Sequence, residues 1–404
     1  MANIAAGGAA AELFNVSLVA FMSNGAPDWT GPETWPVVLH EGVTLSAAGI
    51  FFANRGSSPS DLFHVARDTS ENDYPVSIQG LAGDPVYLGF NSSYVGTGTL
   101  AAVSVLASTR LDLQDATLGG LTALVIGAPG TGQGSVNFGP DPVHIGDLAH
   151  ELTGTHGIVC AGINGNTPSI LTDNEATAPT LFVEGQVTDV TIDTHCNIDM
   201  TEGITLGPAP TAGTCPAARI DQTGLDVRGN GIVQADLVTI QCQAGDGVFV
   251  ELGDDAGSPF VDLNAATLEH NGCAGFHMLA GQCSLSTTDG PTLIESNNYG
   301  LRVEGGSFSS AIGATIACNM GAEPGNCLAD VGAGVDVWQQ SSTVLVVDQV
   351  TWATKPPASY TCATPFTSCS WGSTAPAEAD IVVFGSDAGV VSATVPSLVG
   401  GGCP

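Results

Sequence analysis

In the second half of the chain, short runs of alternating apolar and polar residues recur, each behind a glycine. Five of them are Gly224-Leu-Asp-Val227, Gly247-Val-Phe-Val250, Gly275-Phe-His-Met278, Gly300-Leu-Arg-Val303 and Gly334-Val-Asp-Val337, spaced by 23, 28, 25 and 34 residues. Strand side chains alternate between faces, so the first and third residues after each glycine share a face. Those positions are Leu225, Val227, Val248, Val250, Phe276, Met278, Leu301, Val303, Val335 and Val337, and all are apolar. With 43% of the chain hydrophobic, such unbroken agreement is not a chance pattern. It predicts short strands stacked as the rungs of a solenoid, each burying one face in a shared core.

A second recurrent element accompanies these anchors. Val261-Asp-Leu-Asn-Ala-Ala-Thr-Leu268 matches Leu111-Asp-Leu-Gln-Asp-Ala-Thr-Leu118 almost position for position, and Pro291-Thr-Leu-Ile294 and Ala314-Thr-Ile316 are shorter forms. Several such strands run into a turn containing Asn271, Asn297 with Asn298, or Asn319. In a coil, equivalent turns stack about 4.8 Å apart, close enough for asparagines to bond in a ladder. Asparagine also tolerates the left-handed backbone of sharp turns. Variable rung lengths suit a β-helix, whose insertions loop out between strands. They do not suit a propeller, with blades of roughly 40 residues, or a tight leucine-rich consensus.

Glu33-Thr-Trp-Pro-Val-Val-Leu-His-Glu-Gly-Val-Thr-Leu45 resembles the opening segment of bacterial right-handed parallel β-helix repeat proteins. The glycine-anchored rungs are similar to the repeat of the pectin-lyase-like fold, found in pectin-degrading enzymes, tailspikes and surface proteins. The resemblance implies an all-β, right-handed, single-stranded parallel β-helix with capping segments, and a fold rather than an activity. The expected organisation is one domain, with an N-terminal cap over 1–30, the coil over 31–352 and a Cys- and Pro-rich cap over 353–404.

Composition narrows the partners. Acidic residues number 40 against 7 Lys plus Arg, a formal charge of −33. Without a basic patch, contact with nucleic acid is not expected. An acidic polysaccharide would need a bridging cation such as Ca2+, the one cofactor the composition leaves open. No apolar run approaches the roughly 18 residues that membrane insertion requires. The N-terminus lacks the basic start and apolar run of a signal peptide, so a secreted protein would be a mature form with an added Met1. All 11 cysteines lie at or beyond Cys160 and show no metal-ligand spacing. They point to disulfides and an oxidising, secreted or cell-surface setting. Cys318 with Cys327 and Cys362 with Cys369 are candidate loop closures, and the odd count leaves Cys403 as a candidate free or intermolecular thiol.

If the register of the five anchors holds, their outward positions form two columns: Asp226, Phe249, His277, Arg302 and Asp336, then Arg228, Glu251, Leu279, Glu304 and Trp338. Such a face suits a sugar chain, with an exposed Trp338 stacking on a ring and Asp226, His277, Arg302 and Asp336 bonding hydroxyls. It equally suits a solvated sheet face whose mixed charges prevent sticking. Glu251 and Glu304, two rungs apart, approach the ~6.5–9.5 Å carboxylate spacing of an inverting glycosidase, and Arg228 or Arg302 is a candidate lyase base. Asp254 and Asp255 are candidate cation ligands, although Gly-Asp-Asp-Ala-Gly-Ser-Pro reads first as a turn. His144, His150 and His156 read better as loop or core histidines than as metal ligands. The galacturonan-hydrolase motifs are absent apart from the fragment Thr155-His156-Gly157, and no nucleophile elbow, P-loop or dinucleotide fingerprint occurs. The sequence therefore points to an extracellular or surface β-helix with a structural or adhesive role, binding carbohydrate or a surface protein through a lateral face. The alternatives are a polysaccharide lyase or glycoside hydrolase, and a self-assembling filament subunit.

Overall fold

A computed structural model describes residues 101–105, 109–128, 133–146, 153–162, 169–173, 181–201, 203–217, 219–253, 257–311 and 313–319, with shorter stretches within 2–89 and 334–392. Most of both expected caps, together with Asp254, Asp255, Cys327, Cys369 and Cys403, lies outside the described residues. The described chain is all-β, so no helix there is long and apolar enough to cross a membrane. Its contacts divide it into two compact units, Met1–Glu202 and Gly203–Pro404.

Each unit is a parallel β-helix, built of rungs that place one strand in each of three parallel sheets. In unit 1, Thr109–Gln114 lies in the second sheet, Ala116–Leu118 in the third and Thr122–Ile126 in the first. Leu111 sits between Val76 and Val136, Leu118 between Leu88 and Ile145, and Leu124 between Val103 and Ile158. All of these are buried. The alternating pattern thus aligns like residues into columns, and each column fills the interior from one rung to the next. Burying one such side chain contributes about 1.5–3 kcal/mol.

Unit 2 repeats the plan with Thr223–Arg228, Val248–Glu251, Ala274–Met278 and Tyr299–Val303 as successive first-sheet strands. Leu225, Val248, Phe276 and Leu301 align in one inward column and Val227, Val250, Met278 and Val303 in another, as the anchors predict. The fifth anchor departs from the prediction. Val337, not Val335, lies opposite Leu301, and Arg302 lies opposite Trp338, not Asp336. This two-residue slip leaves every residue on its expected face while changing its neighbour.

The corners explain the recurring shape of the repeat. Asp115 and Leu237 each form a one-residue bend between second- and third-sheet strands, and Ala265 opens a two-residue one, with φ of 46°, 54° and 51°. After the third sheet, Cys242, His270, Ser296 and Cys318 take the same left-handed conformation, and each precedes an amide residue. Those residues, Gln243, Asn271, Asn297 and Asn319, are buried. Oδ1 of Asn271, Asn297 and Asn319 accepts the backbone N–H of the amide residue one rung earlier, at 3.2, 2.9 and 3.1 Å. Their Nδ2 groups donate to the carbonyls of Ile240, Leu268 and Ile294. The expected ladder is therefore present, and it satisfies backbone groups that a sharp buried turn would otherwise leave unpaired. It also accounts for the glycine anchors. A Cβ on Gly247 or Gly275 would come within 2.9 Å of the Nδ2 of Asn271 or Asn297.

Disulfides reinforce neighbouring rungs. Cys160 ends a first-sheet strand and bonds to Cys196, which opens a second-sheet strand, and Cys215 bonds to Cys242. These pairings join cysteines to which spacing assigned no partner, and Cys327 and Cys369, expected to pair with Cys318 and Cys362, lie outside the described residues. Cys318 and Cys273 are also disulfide-bonded. Cys283 is buried and in no disulfide, and burial pushes its thiol far above its ordinary range.

Candidate functional site

The outward face of the first sheet in unit 2 holds most of the predicted site residues, and the structure shows them bonded to one another. Arg228 reaches back to the Asp226 carboxylate and forward to Glu251, with Nε 3.2 Å from Glu251 Oε1. Arg302 donates from Nε to Glu304 Oε1 at 2.6 Å and lies 5.4 Å over the Tyr299 ring. His277 stands between these groups, its Nδ1 2.9 Å from Asp246 Oδ2 and its Nε2 3.4 Å from Glu304 Oε1. The second of these is an ion-pair contact and not a well-formed hydrogen bond. Phe249 packs against the His277 ring at a centroid distance of 5.1 Å.

These surroundings set the charges. Burial pulls the His277 pKa down, but the hydrogen bond to Asp246 and then the close Glu304 carboxylate outweigh it, so the imidazole stays protonated above its ordinary value. Contact with His277 holds Glu304 below the ordinary carboxylate range despite burial, and Arg302 adds to the effect.

Two expectations for this face are corrected. Trp338 is 1% exposed and packs edge-on against Tyr299 at 5.6 Å, so it is not a platform for a sugar ring. The reason is the slip of the fifth rung, which seats it beside Arg302 and Tyr299 in the more buried column. Asp226 is also buried, with its carboxylate occupied by Arg228. Glu251 and Glu304, the proposed catalytic pair, lie two rungs apart with Leu279 at the level between them, and each is committed to a basic partner.

Of the histidines, His144 stacks on Phe182 at 4.9 Å, His156 lies in the strand Gly154–Cys160, and His150 is outside the described residues. Among the described residues no group of three or more His, Cys, Asp or Glu side chains is arranged to hold a metal ion.

A different face offers open polar groups. In unit 1 the second-sheet strands Val76–Gln79, Thr109–Gln114 and Gly134–Phe138 line a shallow groove with Ser77, Gln79, Arg110, Asp112, Gln114 and Asn137. Gln114 Nε2 donates to Gln79 Oε1 at 2.9 Å, and Gln79 Nε2 donates to Ser46 Oγ at 2.8 Å. The column then meets Gly139, where a Cβ would lie 2.5 Å from Gln114 Oε1, so the missing side chain leaves the groove open. Arg110 Nε donates to Asp112 Oδ1 at 2.9 Å. Asn137 Oδ1 accepts from Thr172 Oγ1 at 3.2 Å, which uses one of its two lone pairs. The glycine anchors do not reach this groove, but the Leu111-Asp-Leu-Gln segment of the second repeat already marks Asp112 and Gln114 as outward.

A further pair of residues went unnoticed in sequence. Glu269 and Glu295 stand in register on adjacent third-sheet strands of unit 2. Burial, and then the charge of Glu269, push the Glu295 carboxyl above its ordinary value. The shared Leu-Glu and Ile-Glu strand ends were the available signal. The chain matches no protein-family model, no curated protein and no solved structure.

Proposed function

We propose that this chain is an extracellular or surface-displayed β-helix with an adhesive, structural role, which holds a neutral carbohydrate along the polar groove of unit 1. The observation that carries this reading is the cross-paired Arg110 and Asp112 beside the amides of Gln114 and Asn137. Together they offer donors and acceptors without net charge, as sugar hydroxyls require. Polyanions are disfavoured by the chain's −33 charge. The disulfides support an oxidising compartment, and the resemblance to bacterial β-helix surface proteins agrees with it.

A second reading, polysaccharide cleavage, draws on Glu269 and Glu295. Adjacent rungs lie about 4.8 Å apart, close to the ~5–5.5 Å separation of a retaining glycosidase. The raised Glu295 would be the acid and Glu269 the nucleophile.

A panel of neutral and acidic polysaccharides, scored for retention and for new reducing ends, separates the two. Retention without cleavage is expected, weakened about tenfold by Arg110→Ala or Asp112→Asn, the effect of losing one charge-assisted hydrogen bond. Cleavage abolished by Glu295→Gln would replace adhesion with hydrolysis. Retention unchanged in both groove variants would remove the groove from the reading.

A further inference from the structure

We infer that His277 is a proton-operated clamp, which as an imidazolium ties three consecutive rungs of unit 2 together and as a neutral imidazole lets go of one of them. Three successive rungs supply its parts. Asp246 comes from the turn ahead of the strand Val248–Glu251, His277 from Ala274–Met278, and Glu304 with Arg302 from the end of Tyr299–Val303 and the residue after it.

The geometry fixes the form of the ring that fits. Asp246 Oδ1 already accepts the backbone N–H of Ala274 at 2.9 Å, and its Oδ2 lies 2.9 Å from His277 Nδ1. An ionised carboxylate only accepts, so Nδ1 must carry a proton. On the opposite side of the ring Nε2 faces Glu304 Oε1 at 3.4 Å. If Nε2 were unprotonated, its lone pair would confront a carboxylate in a setting where the histidine side chain is only 10% exposed. Both nitrogens therefore favour the charged ring.

The other charged group facing the ring is Arg302, in register with His277, and it opposes the imidazolium. Arg302 is itself neutralised through Glu304, 2.6 Å away. One rung earlier Phe249 packs on the ring without charge, and Asp226, Arg228 and Glu251 beyond it are paired among themselves. Tyr299, the remaining titratable neighbour, packs on Trp338 under Arg302.

The sign of the pH dependence follows. A histidine held above its ordinary 6.5 contributes stability that is complete below 6.5 and lost as pH rises through its folded value. Glu304, held below its ordinary 4.5, contributes above 4.5 and loses its contribution as pH falls through its folded value. The clamp is therefore closed from about 4.5 to 6.5 and opens on the alkaline side.

The test uses the full chain. Nuclear magnetic resonance should show the His277 imidazole titrating above 6.5. Hydrogen exchange, corrected for intrinsic rates, should show Val248–Glu251, Ala274–Met278 and Tyr299–Val303 opening several-fold more often at alkaline than at mildly acidic pH. His277→Gln should abolish that difference, and Asp246→Asn should move the histidine titration downward. A His277 that titrates at or below 6.5 would overturn the clamp, as would an unchanged pH response in His277→Gln.

Discussion

Asn297 has three bonds to lose. Its Oδ1 accepts from Asn271 N, and its Nδ2 donates both to Leu268 O and to Asn319 Oδ1. Alanine at this position would strand a buried N–H and a buried carbonyl, each costing about 1–3 kcal/mol when unpaired. Asn297→Ala should therefore lower the urea midpoint of unit 2 by far more than a surface substitution does, and a shift within experimental error would mean the ladder is ornamental. Sequence reading found these asparagines because an amide side chain after a strand has few other uses in a coil. It missed the accompanying left-handed residues, because Cys242, His270, Ser296 and Cys318 share no chemistry. Their common property is a backbone angle set by the turn itself.

At the scale of the strand, the alternating pattern is strong evidence of face and weak evidence of register. A slip of one residue would have exposed the core side of the fifth rung and been visible in the sequence. The slip that occurs is of two residues and keeps Val337 inward, so hydrophobicity could not report it. Aligning Gly300 with Gly334 across 34 residues carried no further information. The consequence for the site is large, since it moves Trp338 from an open face to a buried position beside Arg302. The anchor glycines act on the same scale, as spacers that let one rung approach the next. Gly247→Ala would set a methyl within 2.6 Å of Gly275 O and 2.9 Å of Asn271 Nδ2. It should destabilise the stack by more than the few tenths of a kcal/mol typical of an exposed site. A thermal midpoint equal to that of the unmodified chain would show that the rungs have slack.

At the scale of the whole chain, the composition foretold disulfides but not their partners. Cys160 and Cys196 are 36 residues apart in sequence, and only the winding of the coil makes them neighbours. Each of the two bridges, with separations of 36 and 27, removes about 3–4 kcal/mol of unfolded-state entropy in the chain-entropy account. Reducing agent should accordingly lower the thermal midpoint, and an unchanged melting profile would show that the bridges contribute nothing. The groove of unit 1 was the least legible feature, because it needs three strands from separate rungs and a glycine whose importance lies in the side chain it lacks.

The parallel ladders have a mechanical corollary. Within each unit the bonds between strands run along the direction in which rungs are stacked, so a pull along that direction loads them in series and peels one rung at a time. A disulfide from one rung to the next interrupts such peeling. In unit 1, Cys160–Cys196 would leave any chain drawn from one side with a covalent stop once its loop is taut. A coil built this way yields by small steps under tension and then holds.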